Sequence, residues 1–145
     1  MSEISILVPE PTIAMVDGRK YKLSRRSQTR LIGVHPDLRA VVNRAIQITA
    51  VDFGVTEGLR TIERQRELFK RGASRTMNSR HLTGHAVDLV AYIGKDVRWD
   101  WPLYHHIAAA MKLAAEEQAV PIVWGGDWTS FADGPHFELD RRVYV

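Results

Sequence analysis

Leu38, Val41, Val42, Ala45, Ile46, Ala50 and Phe53 recur at helical intervals through PDLRAVVNRAIQITAVDFG, which predicts one amphipathic helix entered at Pro36 and closed by Gly54. Behind it VTEGLR predicts a short strand ending at Arg60, and Thr61 then caps a second helix, IERQRELFKR, which closes at Gly72. ASRTMNSRHLTG follows neither a helical nor a strand period and predicts a loop, whereas AVDLVAY is apolar enough for a central strand. Trp101-Pro102 opens a third, alanine-rich helix that runs to about Glu117. After Pro121 the chain predicts a strand at PIVW, a long glycine-bearing loop, and a returning strand at PHFEL. Near the start, TIAMV and RKYKL flank Asp17-Gly18, a dipeptide suited to a two-residue hairpin turn over residues 12 to 23. Helices interspersed with short strands, without internal repeat or linker, predict a single α+β domain spanning residues 1–145, with residues 1–23 as an N-terminal extension.

The length of 145 residues suits one domain with its own core, and 45% hydrophobic with 26% charged residues is the balance of a folded globular chain. No cysteine is present, so disulfides, thiolate metal sites and thiol nucleophiles are excluded, and a metal would be held by His, Asp or Glu. Glu3, Pro9, Glu10 and Pro11 break the apolar character of the first residues, which predicts neither a secretion signal nor a spanning helix, and hence a start in the cytoplasm. A net charge of +3 and a pI near 9.4 favour anionic partners without choosing among nucleic acid, membrane surface and an acidic wall polymer.

The chemistry concentrates in two segments. Ser79 to Asp88 brings an imidazole, His81, on a loop that turns at Gly84 into the strand carrying the Asp88 carboxylate. A catalytic zinc takes N or O ligands from three residues and keeps a further position open, so one more ligand must come from elsewhere, and His136 in the run Asp133-Gly134-Pro135-His136 can provide it. The remaining histidines fit less well. His85 is offset from Asp88 by an odd number along the strand and faces the other side, His105 and His106 are consecutive on a helix, and His35 precedes Pro36 at a helix start. Trp124 and Trp128 bracket Gly125-Gly126-Asp127, and either core packing or a cleft wall accounts for them.

Ser79, His81, Gly84, Ala86 and Asp88, with an acidic residue three before a histidine, resemble the zinc peptidases of the D-alanyl-D-alanine carboxypeptidase and VanY type. GVHPDL at 33–38, EGLRT at 57–61, SRHLTGHAVDL at 79–89 and WGGDW at 124–128 resemble the phage L-alanyl-D-glutamate endopeptidase branch, so that the likeness covers residues 24 to about 140. The resemblance implies a Hedgehog and DD-peptidase-like fold, a small antiparallel sheet with packed helices, and His81, Asp88 and His136 as ligands of Zn2+. It implies Asp133 as general acid and base, with Glu138 as a rival two residues beyond His136 on the same strand face. It also implies Arg60 as the group facing the oxyanion, and Gln65 and Ser79 as substrate-binding or ligand-orienting residues.

The activity so implied is cleavage of peptidoglycan stem peptides, at the L-alanyl-D-glutamate bond, by a phage or prophage endolysin. Removal of terminal D-alanine, or a non-catalytic zinc module that binds the wall as the likeness to Hedgehog-type domains allows, are the alternatives. A nucleic-acid partner ranks last, because no recognised motif and no dense basic stripe is present. The expected partner is peptidoglycan, met by a monomer without stable membrane insertion. Such an enzyme would accumulate in the host cytoplasm and reach the wall or periplasm at lysis through a separate holin-like protein.

Overall fold

The computed structural model describes residues 20–145. The hairpin expected over residues 12 to 23 falls, for all but its last residues, outside them. Among the described residues four α-helices are present: α1 (Arg25–Arg30), α2 (Pro36–Ile48), α3 (Ile62–Lys70) and α4 (Trp101–Glu117). Five strands, β1 (Asp52–Glu57), β2 (Ala86–Ile93), β3 (Asp96–Arg98), β4 (Ile122–Trp124) and β5 (His136–Leu139), form one antiparallel sheet in the order β1-β2-β5-β4, with β3 paired to the far end of β2. This is the α+β arrangement with a small antiparallel sheet.

α2 forms where its stripe predicts, with Pro36 in the first turn and the His35 ring capping the Asp37 amide at 3.0 Å. It ends at Ile48, earlier than the apolar spacing predicts. The Thr49 hydroxyl donates to the Val51 carbonyl and accepts from the Val51 amide, folding the chain out of the helix. Phe53, which continues the helical stripe by coincidence of spacing, instead lies in β1 and is buried with Val55. The strand therefore starts at Asp52 rather than at Val55.

α2 and α4 pack on each other, and their buried residues, among them Leu38, Val41, Val42, Ile107, Met111 and Ala114, join Phe53, Val55, Val87, Leu89, Ala91, Phe137 and Leu139 in one core. Each large apolar side chain so buried stabilises the fold by about 1.5–3 kcal/mol. Because side chains alternate along a strand, committing Val87, Leu89 and Phe137 to the core turns Asp88 and His136 to the opposite face.

Two elements carry no signal in the periodicity. α1 is a polar turn of helix started by Ser24, which accepts the Ser27 amide at 3.1 Å. Ser27 Oγ then accepts the Val55 amide (2.9 Å) and Arg30 donates to the Val55 carbonyl (3.0 Å), so α1 covers the outer edge of β1. β3 forms a hairpin with β2 across Gly94-Lys95.

Candidate metal centre and cleft

Register builds the site. Asp88 on β2 pairs directly with His136 on β5, and a bulge in β1 between Val55 and Glu57 brings Glu57 opposite Asp88 from the other side. Three neighbouring strands thus present Glu57, Asp88 and His136 in one row on the face away from the core. His81 reaches the row from a 3-10 turn, Arg80–Thr83, rather than from irregular loop. Ser79 starts that turn by accepting the His81 amide at 3.2 Å, and Gly84 ends it in the left-handed region at φ 75°. A side chain at Gly84 would also meet the backbone of Gly33, so only glycine fits where the turn enters β2.

Each imidazole is oriented by its outer nitrogen. His81 Nδ1 lies 2.9 Å from the Gly58 carbonyl, to which it donates, leaving Nε2 directed at Asp88 Oδ1 at 3.3 Å. His136 Nε2 donates to Glu138 Oε1 at 2.8 Å, leaving Nδ1 3.3 Å from the same Asp88 oxygen. The rings meet nearly edge to face, 71° apart with centroids 5.2 Å apart. Ligand atoms of His81, Asp88 and His136 all lie within 4.8 Å of one another, and this trio can hold a metal ion. Two neutral imidazoles and one carboxylate, each ring fixed by a hydrogen bond to its other nitrogen, are a donor set suited to zinc with a position left open.

The electrostatics agree with a site built for a cation. Burial alone would raise the Asp88 carboxyl, but hydrogen bonds from His136 and His81 outweigh it and hold it far below the usual carboxylate range. Burial alone would keep His136 neutral, yet its hydrogen bonds to Asp88 and Glu138 prevail and push its pKa up to about 9. A proton therefore occupies, in the metal-free protein, the place where positive charge is wanted.

These residues form the floor of a cleft whose walls come from the 73–79 segment and the 128–133 loop. Asp133 lines it, and its carboxyl is raised by burial and then by the Asp88 charge. Its position depends on Gly125: a Cβ there would stand 2.5 Å from the Asp133 carbonyl oxygen and 3.1 Å from His136 Cβ. The Asp133 amide donates to the Gly125 carbonyl at 2.9 Å, closing the two turns on each other.

The rivals divide clearly. Glu138 is 5% exposed, lines no part of the cleft, and is occupied by His136 and by Arg141 Nε at 3.1 Å. It orients the His136 ring and stays out of the cleft. Arg60 does line the cleft, but Glu57 grips it in bidentate fashion at 2.7 and 2.8 Å, with Nη1 donating to Gln65 Oε1 at 2.7 Å and to Ser79 Oγ at 3.4 Å. Glu57, which neutralises Arg60, carries no sequence signal beyond its spacing of three from the arginine.

Gln65, expected to bind substrate or orient a ligand, lies behind the cleft wall and not in the lining. It is fully buried, and its amide donates to Ser74 Oγ at 2.8 Å and to the Thr76 carbonyl, so it fastens the 73–79 segment to Arg60 from behind. Ser79 lines the cleft and also supports the His81 turn. The tryptophans separate: Trp124 is buried and donates to the Gly134 carbonyl at 2.7 Å, whereas Trp128 lines the cleft with its ring 5.2 Å from that of His136. His35 caps α2, His85 Nδ1 lies 2.7 Å from Thr83 Oγ1, and His105 and His106 sit on α4 outside the cleft.

The family model described as phage L-alanyl-D-glutamate peptidase matches residues 19–144. The L-alanyl-D-glutamate peptidase of Escherichia phage T5 is 29% identical over 128 residues, covering 86% of this chain and 93% of the relative. That of Listeria phage A118 is 39% identical over 90 residues, covering 62% of this chain but 31% of the longer relative. Among solved structures, the L-Ala D-Glu endopeptidase ChiX of Serratia marcescens superimposes with a TM-score of 0.82 at 47% identity, covering 87% of this chain and 95% of its own. With nearly the whole of its described length matched, the chain belongs to the phage L-alanyl-D-glutamate peptidase family.

Proposed function

We propose that this chain is a zinc-dependent endopeptidase that hydrolyses the L-alanyl-D-glutamate bond of peptidoglycan stem peptides, and that it serves as a phage or prophage endolysin. The observation that carries the reading is the convergence of His81 Nε2, His136 Nδ1 and an Asp88 oxygen at the floor of a cleft that Asp133 also lines. The names of the relatives and of ChiX supply the bond.

Zinc held by His81, Asp88 and His136 would supply Lewis-acid polarisation of the scissile carbonyl and acidify water. Asp133 acts as the general base that takes a proton from the attacking water, and its raised proton affinity lets it keep that proton until it is given to the leaving amine. Arg60 offers the developing oxyanion an N–H donor fixed in place by Glu57 and Gln65. Because Glu57 cancels its charge, that contribution is a directed hydrogen bond more than an unbalanced cation. Glu138 and the Gly58 carbonyl keep the ligand rings in their working tautomers.

Among the described residues no helix is long and apolar enough to cross a membrane. In the endolysin role, the enzyme accumulates in the host cytoplasm and meets the wall once a holin-like protein has permeabilised the membrane. The deciding experiment is mass spectrometry of muropeptide digests with and without a chelator. Chelator-sensitive fragments ending in L-Ala and beginning with D-Glu are expected. Release of terminal D-Ala with the L-Ala to D-Glu bond intact would instead establish the carboxypeptidase reading, and no cleavage by zinc-loaded protein would establish a binding module.

A further inference from the structure

Beyond the metal, the cleft holds a pair of side chains that the chemistry above does not use. Arg75 projects from the segment between α3 and the His81 turn, and Phe131 from the opposite loop before β5; both line the cleft. The Arg75 guanidinium carbon sits 3.9 Å from the centre of the Phe131 ring. Phe131 is 67% exposed and holds a left-handed backbone at φ 54°, a conformation a non-glycine residue adopts at a cost and one that concentrates at ligand-binding loops.

Arg75 is also seated on a fixed backbone. Its neighbours Ser74 and Thr76 are both held by the buried amide of Gln65, and the Asn78 amide closes the next turn on Thr76 Oγ1 at 2.9 Å. Of the two arginines lining the cleft, Arg60 is neutralised by Glu57, whereas Arg75 makes no ion pair with any described residue. A guanidinium lying over an aromatic face keeps the N–H donors at its edge available for a carboxylate.

The substrate side completes the argument, and here the inference rests on the proposed function. D-glutamate whose amine is acylated by L-alanine has two carboxyl groups. The stem peptide continues through one, which leaves the other as an anion beside the scissile amide. Asp88 and Asp133, which line the cleft, would balance the charge of the zinc that the proposed function puts there, and Glu57 balances Arg60, so this anion needs a cation whose charge is not already cancelled. We propose that Arg75, braced on Phe131, recognises the free carboxylate of the D-glutamyl residue and sets a preference for the free acid over the corresponding carboxamide.

The test uses two ketomethylene isosteres of L-Ala-γ-D-Glu-L-Lys, one with a free α-carboxylate and one with an α-carboxamide, titrated against zinc-loaded wild type, Arg75→Gln and Arg75→Lys. Wild type is expected to bind the acid about tenfold or more tightly than the amide. Arg75→Gln should bring that ratio near unity with amide affinity unchanged, and Arg75→Lys should fall between. Equal binding of acid and amide by wild type, or an equal loss for both ligands in Arg75→Gln, overturns the proposal. Turnover of the matching hydrolysable peptides is measured in parallel. If wild type leaves them uncleaved yet keeps its acid preference in an Arg75-dependent way, the carboxylate site stands and the endopeptidase reading falls.

Discussion

Glu138 lies directly behind His136: its carboxylate accepts the outer ring nitrogen at 2.8 Å, so the inner nitrogen is the one that faces Asp88. This relationship separates two roles that the sequence leaves together. If Glu138 orients a ligand, Glu138→Gln weakens zinc binding by about 10–100-fold, the usual cost of losing such a partner, while activity largely returns at saturating zinc. Competition with a chromophoric chelator measures the first quantity and peptide turnover the second. Lost turnover at full zinc occupancy with unchanged affinity would make Glu138 the base.

Asp133 should show the opposite pattern. Asp133→Asn keeps the shape of the turn and touches none of the metal-facing atoms, so zinc content should match wild type. Turnover should fall by about 10²–10⁴-fold, the range for loss of a positioned general base. Zinc analysis and kcat on one peptide check both halves together.

Zinc binding should release protons. Hydrogen bonds to Asp88 and Glu138 overcome burial and place the His136 pKa at about 9, above its ordinary value, so near neutral pH the metal-free ring carries a proton that zinc must displace. Apparent affinity therefore rises with pH until His136 has titrated. The same shift has a sign for folding: the stabilisation of the metal-free protein from protonated His136 is fully present below about pH 6.5 and is lost as pH rises through about 9. Calorimetric titration in buffers of different ionisation enthalpy reads the proton release, and thermal melts of chelated protein read the stability.

Gly125→Ala tests the contact between the two turns. The added methyl group would stand 2.5 Å from the Asp133 carbonyl oxygen and 3.1 Å from both Asp133 Cβ and His136 Cβ, so the base and a ligand must move away together. Overpacking of this kind costs about 1–3 kcal/mol, and a displacement near 1 Å at a reacting group lowers turnover by about 100-fold. The expected result is a folded protein with lower Tm and a larger loss in kcat than in stability. Turnover equal to wild type would show that the turn relaxes without disturbing the site.

The fold was legible where hydrophobic period and caps coincide. Pro36, Thr61 and Trp101-Pro102 mark helix starts, and AVDLVAY reads as the central strand. It was illegible where tertiary contacts decide: α1 is held by Ser27 and Arg30 bonding to β1, and the end of α2 by a hydroxyl of Thr49. In the site, the residues that the family pattern points to, His81, Asp88 and His136, do converge. Their supports were hidden, because the β1 bulge that aligns Glu57 with Asp88 and the burial of Gln65 depend on strand pairing that no local spacing encodes.

Gln65 gives the last prediction. Its side chain is fully buried, accepts from Arg60 and donates to Ser74 and to the Thr76 carbonyl, so it joins the cleft arginine to the segment carrying Arg75. Gln65→Leu keeps much of the volume while removing the hydrogen bonds to Arg60 Nη1, Ser74 Oγ and the Thr76 carbonyl, at about 0.5–1.5 kcal/mol for each bond lost. A substrate contact would instead predict a raised KM with unchanged stability. The expected outcome is a lower Tm together with a lower kcat, and protease nicking should move to the 73–79 segment, because its anchor and not a binding group has been removed.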